Sequence, residues 1–208
     1  MPPLFLYGTL LHRPLLEIVG GPGAATAARP AELSGHQVRV AGQESYPRIE
    51  VGAGRIEGLL IDDAEARARS ACYEGGFGYG LAPVTVLHAG QPLEAELYWP
   101  GPNVPAAAGP WDLGAWEARW ARLTCAAASE AMEYFEQISP QALAARMGTI
   151  RARAHARILA EDEPPVPRIK PAPAGERNHW VRGSVSVAAS QAWRAAREPA
   201  SLEEGRSE

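Results

Sequence analysis

The chain has 208 residues, a formal net charge of −4 and 46% hydrophobic residues. This length suits one ordinary domain or a small domain with appendages, and the hydrophobic share supports a buried core rather than wholesale disorder. The mildly acidic balance gives no electrostatic reason to expect a nucleic-acid partner. No stretch has the length and apolar character of a signal peptide or a membrane span, so we expect a soluble, cytoplasmic protein without a membrane partner.

The cysteines and histidines point to no metal or redox chemistry. Cys72 and Cys125 are far apart and flanked by apolar or small residues, which is typical of free structural thiols. The five histidines lack the close spacing of zinc ligands. The sequence therefore predicts neither a metal site nor a cofactor.

The first half of the chain reads as short strands separated by turns. Residues 4–7 form an apolar, aromatic run that ends at Gly8, which predicts a buried strand entering a tight loop. A short helix is predicted over residues 12–19, because Pro14 suits a first helical turn. Further strands are predicted over residues 31–40 and 55–62.

A helix and a hairpin complete this part. Residues 64–73 are rich in alanine and favour a helix. A glycine–aromatic loop follows over residues 75–80, and residues 82–88 and 93–99 read as two strands joined by a turn. Residues 100–110 hold four prolines and are interpreted as a linker, so a first domain is predicted over residues 1–110.

Beyond the predicted linker, the apolar residues recur at the spacing of a helix rather than of a strand. Asp112 is a candidate helix cap, and apolar residues including Trp116 and Trp120 recur at helical spacing. A second helix begins near Pro140, so an α-helical hairpin is predicted over residues 111–163. The remaining residues, 164–208, are rich in proline, alanine and charged residues and are expected to be poorly ordered.

Three segments carry candidate chemistry when taken together. The first is Tyr7-Gly8-Thr9-Leu10, where Gly8 allows a ligand to approach backbone N–H groups closely. The second comprises Tyr46-Pro47 and the later Gly58-Leu59-Leu60.

The third segment contains Glu74. This glutamate lies between Tyr73 and two glycines, after a predicted helix and before a predicted strand that follows Tyr79. A carboxylate in this setting is expected to be partly desolvated with a raised pKa, which suits general acid/base chemistry near neutral pH.

The order and spacing of these phrases over residues 4–99 resemble the gamma-glutamylcyclotransferase-like superfamily. Within it, the Tyr73–Tyr79 phrase and the stretch 150–154 look most like a bacterial tellurite-resistance-associated group, in which this module precedes a Nudix domain. The resemblance implies an α+β fold: a small mixed β-barrel with flanking helices, followed here by the helical hairpin and the poorly ordered tail.

The resemblance also implies an enzyme of the transferase or lyase type. In active relatives the α-amine of a γ-glutamyl group attacks its own γ-carbonyl, which gives 5-oxoproline and a released amine. By this likeness Glu74 is the catalytic acid/base, and the substrate-binding residues are Tyr7, Gly8, Thr9, Leu10, Tyr46 and Tyr79. The expected partner is a small γ-glutamyl compound.

Two departures leave an alternative open. Active relatives commonly carry an arginine after the tyrosine that matches Tyr79, whereas Gly80 and Leu81 follow here. The spacing of Arg197-Glu198 and Glu203-Glu204-Gly205 does not fit a Nudix signature, so a Nudix domain is expected to be missing. The alternative is a catalytically inactive small-ligand binding or regulatory module related to a Nudix partner. Whichever function holds, a hairpin that once packed on a second domain would expose an apolar face, which predicts a homodimer formed through the helical hairpin.

Overall fold

A computed structural model describes residues 1–41, 46–77, 79–105 and 107–162 of the chain. The tail predicted to be poorly ordered, residues 164–208, lies outside the described residues, as does most of the predicted loop at 41–47. Over the described ranges, no helix combines the length and the apolar character that crossing a bilayer requires.

Strands and helices alternate along the first part of the described chain, and two long helices follow. The elements in chain order are β1 (Leu4–Leu6), a 3-10 turn (Gly8–Leu11), α1 (Arg13–Gly20), α2 (Ala24–Ala27), β2 (Arg29–Ala41), β3 (Pro47–Ile61), α3 (Ala64–Glu74), a second 3-10 turn (Gly75–Phe77), β4 (Tyr79–His88), β5 (Gln91–Pro100), β6 (Ala107–Pro110), α4 (Leu113–Met132) and α5 (Pro140–Asp162).

The sheet closes on itself as a mixed barrel. Within the described residues the strand order is β3-β1-β5-β4-β2, and β2 pairs with β3 to complete a ring of five strands, with β6 added to β2. The β1–β5 pair is parallel, whereas β1–β3, β2–β3, β2–β4 and β4–β5 are antiparallel. The predicted α+β class and mixed barrel with flanking helices are confirmed.

The two largest differences from the predicted strands lie in β3 and β6. Strand β3 begins at Pro47 rather than at residue 55, because its first half pairs with the far half of β2 beyond an irregularity at Ser34 to His36. Residues Ala107–Pro110 form β6 instead of belonging wholly to a linker, and they pair with the end of β2 at Arg39 and Ala41. Both segments gain their strand structure from long-range partners that local composition does not reveal.

The barrel interior is filled by one apolar cluster to which all five ring strands contribute. Phe5 of β1 is fully buried in it, while its neighbours Leu4 and Leu6 belong to a different cluster, as the alternation of side chains along a strand requires. The buried members of the interior cluster are Phe5, Ala31, Leu33, Ile49, Ile56, Leu60, Val86, Ala95 and Leu97.

A second cluster joins the outside of the barrel to the helices. Leu4 and Leu6 pack with Leu16 of α1 and with Trp116 of α4, all of them buried. Trp116 belongs to the apolar helical pattern of the sequence, and this pattern places it in the buried cluster. Helix α4 is thereby held against the strand that leads into the first 3-10 turn.

The two long helices form a hairpin that packs on the rest of the described chain. Asp112 caps α4, since its Oδ1 accepts a hydrogen bond of 2.7 Å from the backbone N–H of Ala115, as the sequence predicts. On α5 the buried face includes Met147 and Ile150, which pack against α4 and against Cys72 of α3.

Gly58 allows β1 to lie close to β3. A Cβ atom at this position would lie 2.3 Å from Cζ of Phe5 and 2.5 Å from the carbonyl oxygen of Leu6. The carbonyl belongs to the backbone of the paired strand, so the contact cannot be relieved by a side-chain rotation. A side chain at residue 58 would therefore push the two strands apart.

We expect Gly58→Ala to lower the free energy of unfolding by about 2–3 kcal/mol, because overpacking against backbone is relieved only by moving β1. The measurement is urea unfolding at equilibrium. Gly80→Ala is the matched control in β4, where an added Cβ meets nothing within 4 Å. This control should be neutral or stabilising by up to about 1 kcal/mol. Equal effects of the two substitutions would contradict the proposed close approach.

Candidate functional site

A cavity lies where the first 3-10 turn, the start of β3, the end of α3 and the hairpin helices meet. Its lining is mainly aromatic, with one carboxylate and one guanidinium among the described residues. The lining residues are Phe5, Leu6, Tyr7, Thr9, Leu10, Tyr46, Pro47, Tyr73, Glu74, Phe77, Tyr79, Tyr98, Trp116, Thr124 and Arg151.

The wall formed by Tyr7, Thr9 and Leu10 depends on the backbone of Gly8. Gly8 has φ +76°, and a Cβ at this position would lie only 2.2 Å from Cγ of Pro47. Glycine adopts this left-handed conformation without steric cost and leaves room for the proline ring. Gly8 itself does not line the cavity, so it shapes the loop through its backbone.

Glu74 is the last residue of α3 and presents its carboxylate to the cavity. Burial raises the pKa of Glu74 from 4.5 to about 7, since little solvent remains to stabilise the charged form. The helix ends here because Gly75 begins a 3-10 turn that leads into β4. The end of α3 thus contributes to an aromatic cavity a carboxylic acid whose pKa lies near neutral pH.

The tyrosines around Glu74 remain protonated at neutral pH. Burial is the main cause that raises the pKa of Tyr7, Tyr73, Tyr79 and Tyr98, and the nearby Glu74 carboxylate raises each of them further. They act as neutral hydrogen-bonding groups rather than as bases in this range.

Two of these hydroxyl groups are already engaged with the backbone. Tyr7 donates a hydrogen bond of 2.5 Å to the carbonyl oxygen of Tyr98, and Tyr79 donates one of 2.6 Å to the carbonyl oxygen of Pro47. These protons are therefore not donated to Glu74, which is consistent with burial as the cause of its raised pKa. The same bonds fix the positions of the loop, β3, β4 and β5 around the cavity.

Contacts between aromatic rings hold another part of the cavity wall together. The ring of Phe77 lies 5.4 Å from that of Tyr73 and 6.0 Å from that of Tyr46, measured between centroids. Tyr46 also meets Tyr79 edge to face at 6.4 Å. Such pairs add stabilisation beyond the burial of apolar area, so they help to keep the cavity in shape.

The structure brings together the residues that the sequence singled out. Glu74, Tyr7, Thr9, Leu10, Tyr46 and Tyr79 all line the cavity, and Gly8 supports it from behind.

Sequence reasoning did not identify several lining residues as part of the site. Tyr98 lies in β5, Trp116 and Thr124 in α4, and Arg151 in α5. They are distant in sequence from the other segments and occupy regular strand or helix positions. Local sequence carries no signal that distinguishes them from packing or solvent-facing residues.

Comparison with solved structures finds partial matches to several proteins. A protein from Arabidopsis thaliana solved in solution is 25% identical, with 65% of this chain and 80% of that chain covered and a TM-score of 0.42. A solved gamma-glutamyl cyclotransferase is 13% identical, covering 65% of this chain and 84% of its own, with a TM-score of 0.42. An uncharacterized protein from Homo sapiens is also 13% identical, with 93% and 98% covered and a TM-score of 0.42.

The family assignment rests on the sequence match rather than on these structures. No curated protein sequence gives a significant match to the chain. Residues 4–118, more than half of the chain, match the family described as gamma-glutamyl cyclotransferase, AIG2-like. This range contains the first 3-10 turn, Glu74 and the whole barrel. The chain belongs to the gamma-glutamyl cyclotransferase, AIG2-like family.

Proposed function

We propose that the protein is a gamma-glutamylcyclotransferase that converts the γ-glutamyl group of a small amine or peptide to 5-oxoproline. The observation that carries this proposal is Glu74, which lines an aromatic cavity and whose pKa is raised to about 7. A carboxylate with this pKa can both accept and return a proton near neutral pH. Family membership supports the same reaction class.

The reaction needs one proton carrier and a folded substrate. The α-amine loses a proton to Glu74 and forms a bond to the γ-carbonyl carbon, which closes the five-membered ring. The bond from that carbon to the leaving nitrogen then breaks, and Glu74 returns the proton to this nitrogen. The products are 5-oxoproline and a free amine, so the atoms balance without water or a cofactor.

The residues around Glu74 bind and orient the substrate in this proposal. The nucleophile belongs to the substrate, so holding the chain in a folded shape is the main requirement on the protein. In this proposal Tyr7, Thr9 and Leu10 hold the glutamyl moiety from the loop, while Tyr46 and Tyr79 close the cavity. Loop N–H groups are suited to hold the α-carboxylate or the oxyanion of the tetrahedral intermediate.

The direct test is release of 5-oxoproline from γ-glutamyl amines and dipeptides. We expect turnover by the wild type and a fall of roughly 10²–10⁴-fold in kcat for Glu74→Gln, because the amide cannot carry the proton. Glu65→Gln is the matched control, since Glu65 is exposed on the same helix and should keep wild-type activity. Absence of turnover with every substrate, from a folded protein that still binds them, would favour the inactive binding module.

The pH dependence provides a second test. Glu74 must be ionised to accept the proton, and its pKa is raised to about 7. We therefore expect the pH profile of kcat/KM to show a break near this value, at lower pH than the break that comes from the substrate's own α-ammonium group. A plateau that extends down to pH 5 would show that the essential base has an ordinary carboxylate pKa.

The pH dependence of the free energy of unfolding tests the raised pKa of Glu74 without an activity assay. A pKa raised from 4.5 to about 7 means that the folded state holds its proton more tightly than the unfolded state. This contribution to stability is fully present below pH 4.5 and is lost as the pH rises through about 7.

We therefore expect Glu74→Gln to be more stable than the wild type at pH 8, by about 1–3 kcal/mol, with a smaller difference at pH 5. Urea unfolding at the two pH values measures this. A difference that does not depend on pH would contradict the raised pKa.

A further inference from the structure

Helix α3 carries Glu74 at its last residue, yet it buries only one large apolar side chain, that of Tyr73. The buried residues of the helix are Ala66, Arg67, Ser70, Cys72 and Tyr73. Burial of apolar area has no preferred direction, so it holds a helix on the core without fixing its exact position. The position of Glu74 therefore depends on directional contacts of α3.

Two arginines of α3 make such contacts. Arg69 donates hydrogen bonds of 3.0 Å and 3.1 Å to the carbonyl oxygens of Ile18 and Val19, in the last turn of α1. Arg67 instead reaches the sheet, where its Nη2 donates a hydrogen bond of 2.7 Å to Oε2 of Glu96 in β5. Arg69 thus ties α3 to another helix, whereas Arg67 ties it to the barrel.

The guanidinium of Arg67 is buried and depends on Glu96. Arg67 is 8% exposed, and within the described part of the chain its Nε and Nη1 are buried without a hydrogen-bond partner. A movement of α3 away from β5 would leave a buried charge unpaired, which is strongly unfavourable. The ion pair therefore resists displacement of the helix from the sheet.

Glu96 lies where the ring of strands closes. Its backbone N–H donates a hydrogen bond of 2.9 Å to the carbonyl oxygen of Pro3, and it is in register with Leu4 of β1. Arg67 thus connects α3 to a point of the barrel that strand pairing already fixes.

The ion pair and Glu74 lie along the same crossing of α3 and β5. Glu74 follows Arg67 by seven residues, so the two share a face of the helix and are about 10 Å apart along its axis. Tyr98 follows Glu96 by two residues, so their side chains point to the same side of β5. Tyr98 lines the cavity together with Glu74.

The electrostatics of Tyr98 are consistent with this arrangement. Burial raises the pKa of Tyr98 and the Glu74 carboxylate raises it further, whereas Arg67 lowers it and Glu96 raises it. Tyr98 is therefore within reach of Glu74 and of the ion pair. Arg67 and Glu96 themselves are not among the described residues that line the cavity.

We propose that Arg67, through its ion pair with Glu96, is a positioning residue that holds the end of α3, and with it Glu74, at the cavity. This inference rests on the proposed function and adds a residue outside the cavity to it. Arg67 contacts no substrate in this proposal. It acts on the geometry at which Glu74 meets the substrate and on how far the carboxylate is shielded from solvent.

The first test removes the ion pair without leaving a charge behind. Arg67→Met/Glu96→Leu replaces both groups by apolar side chains, which generally preserves stability. We expect this double variant to lose about 10–100-fold in kcat, because a small misplacement of the proton carrier is costly. KM should stay within about threefold, since the loop proposed to hold the glutamyl moiety is unchanged. Arg67→Lys should keep part of the activity of the wild type, because it keeps the charge without the geometry of the guanidinium.

The pH profile separates positioning from stability. If the end of α3 moves outward, Glu74 gains solvent, and the break of kcat/KM near pH 7 should shift toward 4.5 by about half a pH unit or more. The other titratable side chains of the described lining are tyrosines and an arginine, types that ordinarily titrate at about pH 10 or above.

Val86→Ala is the matched control for a loss of stability. Val86 is 1% exposed in the barrel interior and belongs to a different cluster from Tyr98. This substitution should lower the free energy of unfolding and leave both kcat and the break unchanged.

Two outcomes would overturn the inference. A folded double variant with the kcat of the wild type and an unchanged break would show that the ion pair serves stability alone. An equal loss of kcat in Val86→Ala would show that activity follows stability rather than the contact between α3 and β5.

Failure of the proposed function is distinguishable from failure of the inference, because the position of Glu74 can be followed without turnover. Carbon-13 NMR titration of the carboxyl groups, with Glu74→Gln to assign the signal, gives the pKa of Glu74 in the folded protein. A lower pKa in the double variant than in the wild type supports the positioning role even if no compound yields 5-oxoproline. Equal pKa values in the two proteins reject it.

Discussion

The rest of the described structure depends on the pairing of the short strand β1 with β3 and β5. Its three residues pair with β3 on one side and meet β5 on the other, so the ring of strands closes through them. Phe5 fills the barrel, while Leu4 and Leu6 anchor the helices from the opposite face. Because Gly58 carries no side chain, β1 lies close to β3. In this position the side chains of β1 reach both apolar clusters, one on each face of the sheet. The loop with Tyr7 and Gly8 follows directly from β1, so barrel closure also positions the cavity.

The walls of the cavity are tied together by hydrogen bonds, and the site disfavours the negative charge of the Glu74 carboxylate. Hydroxyl groups of Tyr7 and Tyr79 donate to backbone carbonyl oxygens and connect strands and loop. The Glu74 carboxylate lies beside these rings with its pKa raised to about 7 by burial. A protein tolerates this cost in stability at neutral pH where the group is used for proton transfer.

The helical hairpin contributes to the site as well as to the core. Trp116 packs with β1 and α1 and also lines the cavity, and His12, at the end of the loop, bonds Glu117 of α4 at 2.7 Å. Ion pairs of Glu130 with arginines of α5 hold the two helices together near the surface. The hairpin thus fixes the position of Arg151 relative to Glu74. Residues far from Glu74 in sequence thereby complete the lining of its cavity.

By itself, the sequence determined the local features of this protein. The alternation around Phe5, the capping residue Asp112 and the helix that ends at Glu74 all follow from short-range chemistry, and the order of the motifs indicated the barrel and Glu74 with five further residues of the cavity lining. Only the tertiary structure decided how deeply Glu74 is buried, that residues 47–54 and 107–110 join strands, and that Arg151 reaches the cavity. Each of these depends on partners many residues away, because desolvation and strand pairing are properties of the packed environment rather than of neighbouring residues.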